Sequence, residues 1–328
     1  MKKRILVTGA DGMLGSNLVR ELLTREYIVR ALIQPGRIPG TLAGLDVELF
    51  SGDVLNIEDI ELAIKQCDYV IHAAASTAIW PERNRAVYDI NLEGTMNVVW
   101  AATAAKIKRL VHVSSANVFD AGNKMIPGDE FGSFTGHKYG LDYINSKYDA
   151  QTVVIKAVHC GLDAVIVNPT FMIGAYDSSK GSNSIILALN NGRIVAAPPG
   201  GKNFICAKDA AVAISNALTM GRKGECYILG NQNLSYKDFF QLTANSIHSK
   251  PPFFSFSASL IKLFAASTNM LAAITKKRPL ISNTIARMSC DQHFYKADKA
   301  VAELKLPQTP IEQGIVEAFT WFKQNGFA

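Results

Sequence analysis

The sequence is poor in the features that mark disulfide-stapled, membrane-spanning or nucleic-acid-binding chains. Its five cysteines, at 67, 160, 206, 226 and 290, include no Cys-x-x-Cys pair and are odd in number. Scattered thiols of this kind argue against a disulfide framework and fit a reducing compartment. No apolar run is long enough to span a bilayer. The first expected strand starts at Arg4, leaving no room ahead of it for an apolar targeting stretch, so a cytoplasmic protein is expected. The formal net charge is +6, yet no dense Lys/Arg run with interleaved aromatics is present. That argues against nucleic acid as a partner, and a small-molecule substrate is expected; the charge is compatible with a phosphate-bearing ligand and is also common in ordinary proteins. With 328 residues, 48% of them hydrophobic and 19% charged, the chain can build a sizeable core without a metal.

What is present is an alternation of apolar bursts with helix-period stretches. Strands are expected at Arg4–Thr8, Tyr27–Ile33, Val47–Phe50, Tyr69–Ala73, Leu110–Val113 and Ala164–Asn168. Helices are expected at Leu14–Arg25, Ile57–Lys65, Val87–Ala105 and Tyr143–His159. Near-continuous Val/Ile/Leu strands imply burial on both faces, hence a parallel sheet covered by helices. The fold class read from this is α/β, a doubly wound parallel Rossmann-type sheet. After Asn168 the alternation stops. Residues 169–203 are rich in Gly, Ser, Asn and Pro, with one helix expected near Ile185–Asn190. Asp209–Leu218 reads as a helix and Glu225–Leu229 as a strand that could join the main sheet. The expected organisation is a dinucleotide-binding domain, 1–168 plus about 204–230, and a smaller, mostly helical C-terminal substrate lobe, 169–203 plus 231–328. Phe253–Thr275 reads as a helix buried in that lobe, with a substrate lid or a membrane-surface helix as alternatives. The basic run at 276–278 reads as a solvated helix end.

The first strand runs directly into Thr-Gly-Ala-Asp-Gly-Met-Leu-Gly, placing Gly9, Gly12 and Gly15 three residues apart. One glycine permits positive φ at the tight turn, one lets the backbone approach a pyrophosphate, and one lets helix pack on strand. Helix amides then face the phosphates. The second strand ends in Ala-Leu-Ile-Gln-Pro-Gly-Arg, without the carboxylate that NAD sites place on the ribose 2′-hydroxyl. Arg37 could meet a 2′-phosphate there, or be a solvated loop arginine. NADP(H) is accordingly favoured over NAD(H). Asp53, at the end of the third strand, could accept from an adenine amino group or cap the next helix, a role for which Asn56 competes. Small residues in His72-Ala73-Ala74-Ala75 let the backbone run close beneath a cofactor, and His72 reads as a packed, hydrogen-bonded histidine.

Tyr143 and Lys147 are four apart on an expected helix and share one face. A phenol titrates near ~10, and a nearby ammonium would favour its phenolate. Such a tyrosine can serve as general acid for a carbonyl or base for an alcohol. Ser114 and Ser115 follow the fifth strand, at the carboxyl end where such sheets bind ligands, and alternation lets only one point into the cleft.

Together these residues resemble the extended short-chain dehydrogenase/reductases. The resemblance rests on TGADGMLG, on GDV at 52–54, HAAA at 72–75, NLEGT at 91–95, VSSANVF at 113–119, YINSK at 143–147 and NPTFMIG at 168–174. It spans essentially the whole chain. It implies that Ser115, with Ser114 as fallback, orients the reacting oxygen, that Tyr143 is the acid/base, and that Lys147 holds the nicotinamide ribose. It implies that Gly9, Gly12, Met13, Leu14 and Gly15 form the pyrophosphate loop and that Asp53 and Val54 line the adenine pocket. Ala73 and Ala74 would lie beneath the cofactor, and Asn168 and Pro169 would border the nicotinamide. Asn91 matches a structural helix asparagine. Trp80 and its spacing, with the 168–174 segment followed by Ser184–Leu189, are closer to dihydroflavonol reductases and 3β-hydroxysteroid dehydrogenases. The expected activity is an NAD(P)H-dependent carbonyl reductase or alcohol dehydrogenase. The alternatives are a nucleotide-sugar epimerase or dehydratase with tightly bound NAD, and a nucleotide-sensing protein without turnover. A homodimer is compatible with the resemblance.

Overall fold

Arg-Ile-Leu-Val-Thr, apolar and partly β-branched, forms the first strand, β1 (Arg4–Thr8), buried over its last four residues. The computed structural model describes residues 2–179, 181–275, 279 and 281–328; the basic run at 276–278 lies outside them. Along the chain follow α1 (Met13–Thr24), β2 (Ile28–Ile33), β3 (Glu48–Ser51), α2 (Ile57–Ala63), β4 (Tyr69–His72) and α3 (Arg85–Ala104). Next come β5 (Arg109–Val113), α4 (Asp142–His159), β6 (Ala164–Pro169), β7 (Phe171–Ile173), α5 (Ser184–Asn190), β8 (Ala196–Ala197) and β9 (Gly201–Cys206). Then come α6 (Ala207–Ala217), β10 (Cys226–Leu229), β11 (Gln232–Ser235), α7 (Tyr236–Ile247) and β12 (Phe254–Ser255). The last elements are α8 (Ala258–Thr275), α9 (Asn283–Cys290), β13 (Gln292–His293), α10 (Asp298–Leu304) and α11 (Ile311–Gln324).

Seven strands pair in parallel in the order β10-β6-β5-β4-β1-β2-β3. Strand order reverses between β1 and β4, which opens a crevice above their carboxyl ends. Successive residues of β1 feed opposite faces. Ile5 and Val7 pack with Leu18, Val19 and Leu22 of α1, Ala213 and Ile214 of α6, and Ala300 and Leu304 of α10. Leu6 packs with Ile60 of α2, Val98 and Ala102 of α3, and Val154 of α4. Both faces being dry explains why these strands show no polar alternation.

β10 joins the main sheet beside β6, as Glu225–Leu229 was expected to do. The late helix α10 also packs against that sheet, so chain from both ends of the sequence contributes to it. The remaining segments build a second, four-stranded sheet, in which β9 pairs with β7, β11 and β13. Its core stacks Phe204 on Phe239, with ring centroids 4.1 Å apart, among Ile186, Tyr236, Ile311 and Phe319. These strands are not evident from periodicity, because β7 and β13 are three and two residues long. α8 turns Ile261, Ala265 and Thr268 toward α9 and leaves Leu260, Leu263, Phe264 and Met270 exposed, so the expected burial holds for one face only. Among the described residues no helix is long and apolar enough to cross a membrane.

Candidate active site

The glycine-rich turn follows from steric arithmetic. Gly9 has φ +67°, a conformation costly for any residue with a Cβ. A Cβ there would also lie 2.7 Å from Ala74 N and 2.8 Å from the Ala73 carbonyl carbon. Glycine is therefore what lets the end of β4 pass directly beneath the loop. A Cβ on Gly15 would lie 2.7 Å from Ala10 Cα, so this glycine allows α1 to fold back onto β1. Gly12 differs: its φ of −76° suits any residue, and the nearest atom to an added Cβ, Gly9 O, is at 3.4 Å. It caps α1 without a side-chain hydrogen bond, so the first-turn amides of Met13, Leu14 and Gly15 have no side-chain cap. An open approach, free amides and a positive helix end together suit a pyrophosphate. The residues present thus fit a dinucleotide.

Other candidates gather at the same carboxyl edge. Asn56, not Asp53, caps α2, accepting from Glu58 N and Asp59 N. Asp53 Oδ1 accepts from Leu55 N at 2.9 Å. Val54 is buried against α3, where a Cβ on Gly94 would come within 2.9 Å of its Cγ2. Arg37 leaves the end of β2 and pairs with Asp11 of the glycine-rich loop, Nη1 to Oδ2, at 3.0 Å.

A buried polar chain connects the floor of this crevice to α4. The Thr8 hydroxyl lies 2.8 Å from His72 Nδ1 and accepts from Ala74 N at 3.1 Å. His72 Nε2 lies 3.0 Å from the Thr95 hydroxyl, which donates to Asn91 O. Asn91 then binds Ser76 N and Ser76 O and donates to Ser146 Oγ at 2.9 Å, one residue before Lys147. Burial, reinforced by the Lys147 charge, pushes His72 down to about 3. It is a neutral, hydrogen-bonded packing residue, as expected.

Ser115, Tyr143, Lys147 and Asn168 converge where β5, β6 and α4 meet. Lys147 Nζ donates to Val113 O at 2.6 Å. Asn168 Nδ2 donates to Ser115 O at 3.0 Å and to Gln151 Oε1 at 2.7 Å, fixing the serine loop against α4. Pro169 ends β6, and Thr170 N returns to Leu229 O of β10. Of the two serines, Ser115 Oγ accepts from Asn117 N at 3.2 Å and its hydroxyl acts on the nearby Tyr143 phenol, whereas Ser114 Oγ is buried without a partner among the described residues. Burial holds Tyr143 above its ordinary value, and the Ser115 hydroxyl offsets this in part. Burial lowers Lys147 to about 8. The expected lowering of Tyr143 by Lys147 is not found: the ammonium is engaged by the Val113 carbonyl, and desolvation of the phenol dominates. Neither the Asp11 contact, nor Gln151, nor the Asn183 amide on Met13 Sδ at 2.8 Å was legible from spacing. Each partner comes from a different loop or helix.

Comparison with known proteins agrees with the fold. Residues 5–230 match the NAD dependent epimerase/dehydratase family. The chain is 32% identical over 326 residues to a protein of Synechocystis sp. provisionally named dihydroflavonol 4-reductase, covering 98% of this chain and 95% of that one. It is 28% identical to sterol demethylase protein B of Methylococcus capsulatus, over 98% of both chains. The crystal structure of gox2253 superposes with a TM-score of 0.88 at 29% identity, covering 99% of each chain. The NAD complex of UDP-glucose 4-epimerase from Thermus thermophilus shares the fold, with a TM-score of 0.77 at 18% identity over 98% of this chain and 99% of that one.

Proposed function

The chain belongs to the NAD dependent epimerase/dehydratase family of extended short-chain dehydrogenase/reductases, and from that premise we propose that it is an NAD(P)H-dependent carbonyl reductase or alcohol dehydrogenase. The family makes it an NAD(P)-dependent oxidoreductase or epimerase; the finer reading rests on one observation. Ser115, at the end of β5, lies close enough for its hydroxyl to act on the Tyr143 phenol, with Lys147 one turn further along α4. Two hydroxyls on one side of a carbonyl oxygen can both hold it and protonate it. The name of the Synechocystis relative, a dihydroflavonol 4-reductase, supports the same direction.

Bound nicotinamide supplies or accepts the hydride at the substrate carbon. Tyr143 gives its phenolic proton to the substrate oxygen during reduction and takes it back during oxidation. Ser115 donates a hydrogen bond to that oxygen as its charge grows. Lys147, which donates to Val113 O, would hold the ribose hydroxyls of a bound cofactor, and its charge beside the phenol would favour the phenolate. Gly9, Gly12, Met13, Leu14 and Gly15 hold the pyrophosphate. Asp53 and Val54 would border the adenine, Ala73 and Ala74 would lie beneath the cofactor, and Asn168 and Pro169 would flank the nicotinamide. Arg37 takes a 2′-phosphate, which favours NADP(H). Residues 169–203 and 231–328, apart from α10, would supply the substrate lobe, for a small molecule.

A second reading, a nucleotide-sugar epimerase, has one observation in its favour. Lys202 of β9 is half-buried 5.6 Å over the Phe171 ring, burial lowers it to about 8, and it makes no ion pair among the described residues. A substrate phosphate would satisfy it. Arg222, by contrast, is already engaged by Glu303. Mass spectrometry of the nucleotide released on denaturing freshly purified protein separates the two. NADP, or an empty site that binds added NADPH, is the expected result. NAD retained in near-equal amount to protein would favour the epimerase.

A further inference from the structure

The end of β2 lacks an acid, yet the structure brings one to it from the glycine-rich loop. Gln34-Pro35-Gly36-Arg37 closes as a turn, Arg37 N donating to Gln34 O at 3.1 Å, with Gly36 at φ +79°. Proline then glycine at its centre set this geometry. The turn presents Arg37 Nη1 to Asp11 Oδ2 at 3.0 Å. Asp11 itself is held in place: Thr41 Oγ1 donates to Asp11 O at 3.1 Å, and Ser16 Oγ donates to Thr41 Oγ1 at 2.8 Å. The Asp11 side chain is 15% exposed and that of Arg37 58%, so the acid is anchored and the arginine reaches outward.

We propose that Asp11 sets the choice between NAD and NADP, by competing with a 2′-phosphate for Arg37 and by accepting the 2′-hydroxyl of NAD. This rests on the reading above that places the adenine ribose beside Arg37. NAD sites carry an acid at the ribose, usually from the strand end; here the loop supplies it. An ion pair this exposed is weak, so a 2′-phosphate can draw Arg37 away. The carboxylate left behind then repels the phosphate, which subtracts from NADP affinity. With NAD the pair stays intact and the acid serves the ribose. Asp11 thereby holds the chain near dual cofactor use, with Arg37 tipping it toward NADP.

The test is the dissociation constants of NAD and NADP, measured by calorimetry for the native chain, Asp11→Asn, Asp11→Ser and Arg37→Gln. Far-UV circular dichroism checks that each variant is folded. Both Asp11 variants are expected to tighten NADP by roughly two- to tenfold, the scale of one exposed charge pair, without tightening NAD. Arg37→Gln is expected to weaken NADP about tenfold and leave NAD unchanged. If Arg37→Gln weakens NADP but neither Asp11 variant moves the NADP/NAD ratio, the inference is overturned and the ribose placement stands. If no variant alters either constant, the ribose does not lie beside Arg37, and the inference falls with that placement.

Discussion

Replacing Gly12 with alanine separates a glycine kept for a ligand from glycines kept for the fold. Gly12 has an ordinary φ of −76°, and the nearest atom to an added Cβ is at 3.4 Å. Alanine loses a few tenths to about 1 kcal/mol as an N-cap and gains about 0.4–1 kcal/mol by stiffening the unfolded chain. Folding stability should therefore change by no more than about 1 kcal/mol. The new methyl group, however, occupies the open approach to the first-turn amides. Displacing one charge-assisted hydrogen bond from a phosphate costs roughly 1.5–3 kcal/mol, or about ten- to a hundredfold in cofactor affinity. Gly9→Ala gives the opposite pattern. It adds about 1–2 kcal/mol of left-handed strain and a further 1–3 kcal/mol of overlap with Ala73 and Ala74. Gly36→Ala is the control, with φ +79° but nothing within 4 Å of a Cβ, and should cost the strain alone, about 1 kcal/mol. Urea unfolding and calorimetric titration with NADP measure both quantities. A Gly12→Ala protein that bound cofactor as tightly as the native chain would refute the placement of the pyrophosphate over Gly12.

Burial lowers Lys147 to about 8 from 10.5, so the folded chain sheds that proton earlier than the unfolded chain. Unfolding free energy therefore gains from this group as pH rises from about 8 to 10.5 and is penalised below. Relative to the native chain, Lys147→Met should be most favourable to stability near pH 7 and lose that advantage by pH 10, read from urea unfolding at each pH; a difference independent of pH would contradict it. Asn91→Ala removes three buried hydrogen bonds linking α3 to the 76 turn and α4, and should cost about 2–4 kcal/mol by chemical denaturation. Gly94→Ala should destabilise by about 1–3 kcal/mol through contact with Val54, and Val54→Ala should recover part of that loss in the double variant.

The parallel sheet was legible because strands such as Ile5–Val7 and Val165–Val167 are apolar on both faces, which only a doubly covered sheet explains. The crevice was legible because the glycine-rich turn and the Ser114-Ser115 pair directly follow β1 and β5, while YINSK lies on the helix α4 beside them. Less could be read where structure depends on distant pairing. β9 reads Gly-Lys-Asn-Phe-Ile-Cys and takes its partners from segments at 171, 232 and 292. Asp11 and Arg37 are 26 residues apart on separate turns, so the sequence suggested a cation without showing the acid beside it. The competition between Asp53 and Asn56 was recognised, but only the hydrogen bonds assign the cap to Asn56. Spacing puts Lys147 near Tyr143 but does not show that Val113 O occupies its ammonium.

The central claim is proton transfer by Tyr143 during hydride transfer. The most direct measurement is single-turnover oxidation of prebound NADPH, followed at its nicotinamide absorbance with a panel of ketone substrates, in the native chain and in Tyr143→Phe. The account predicts a rate loss of roughly 10²–10⁴-fold in Tyr143→Phe with cofactor affinity unchanged. A folded Tyr143→Phe chain that reduced substrate at the native rate would contradict it.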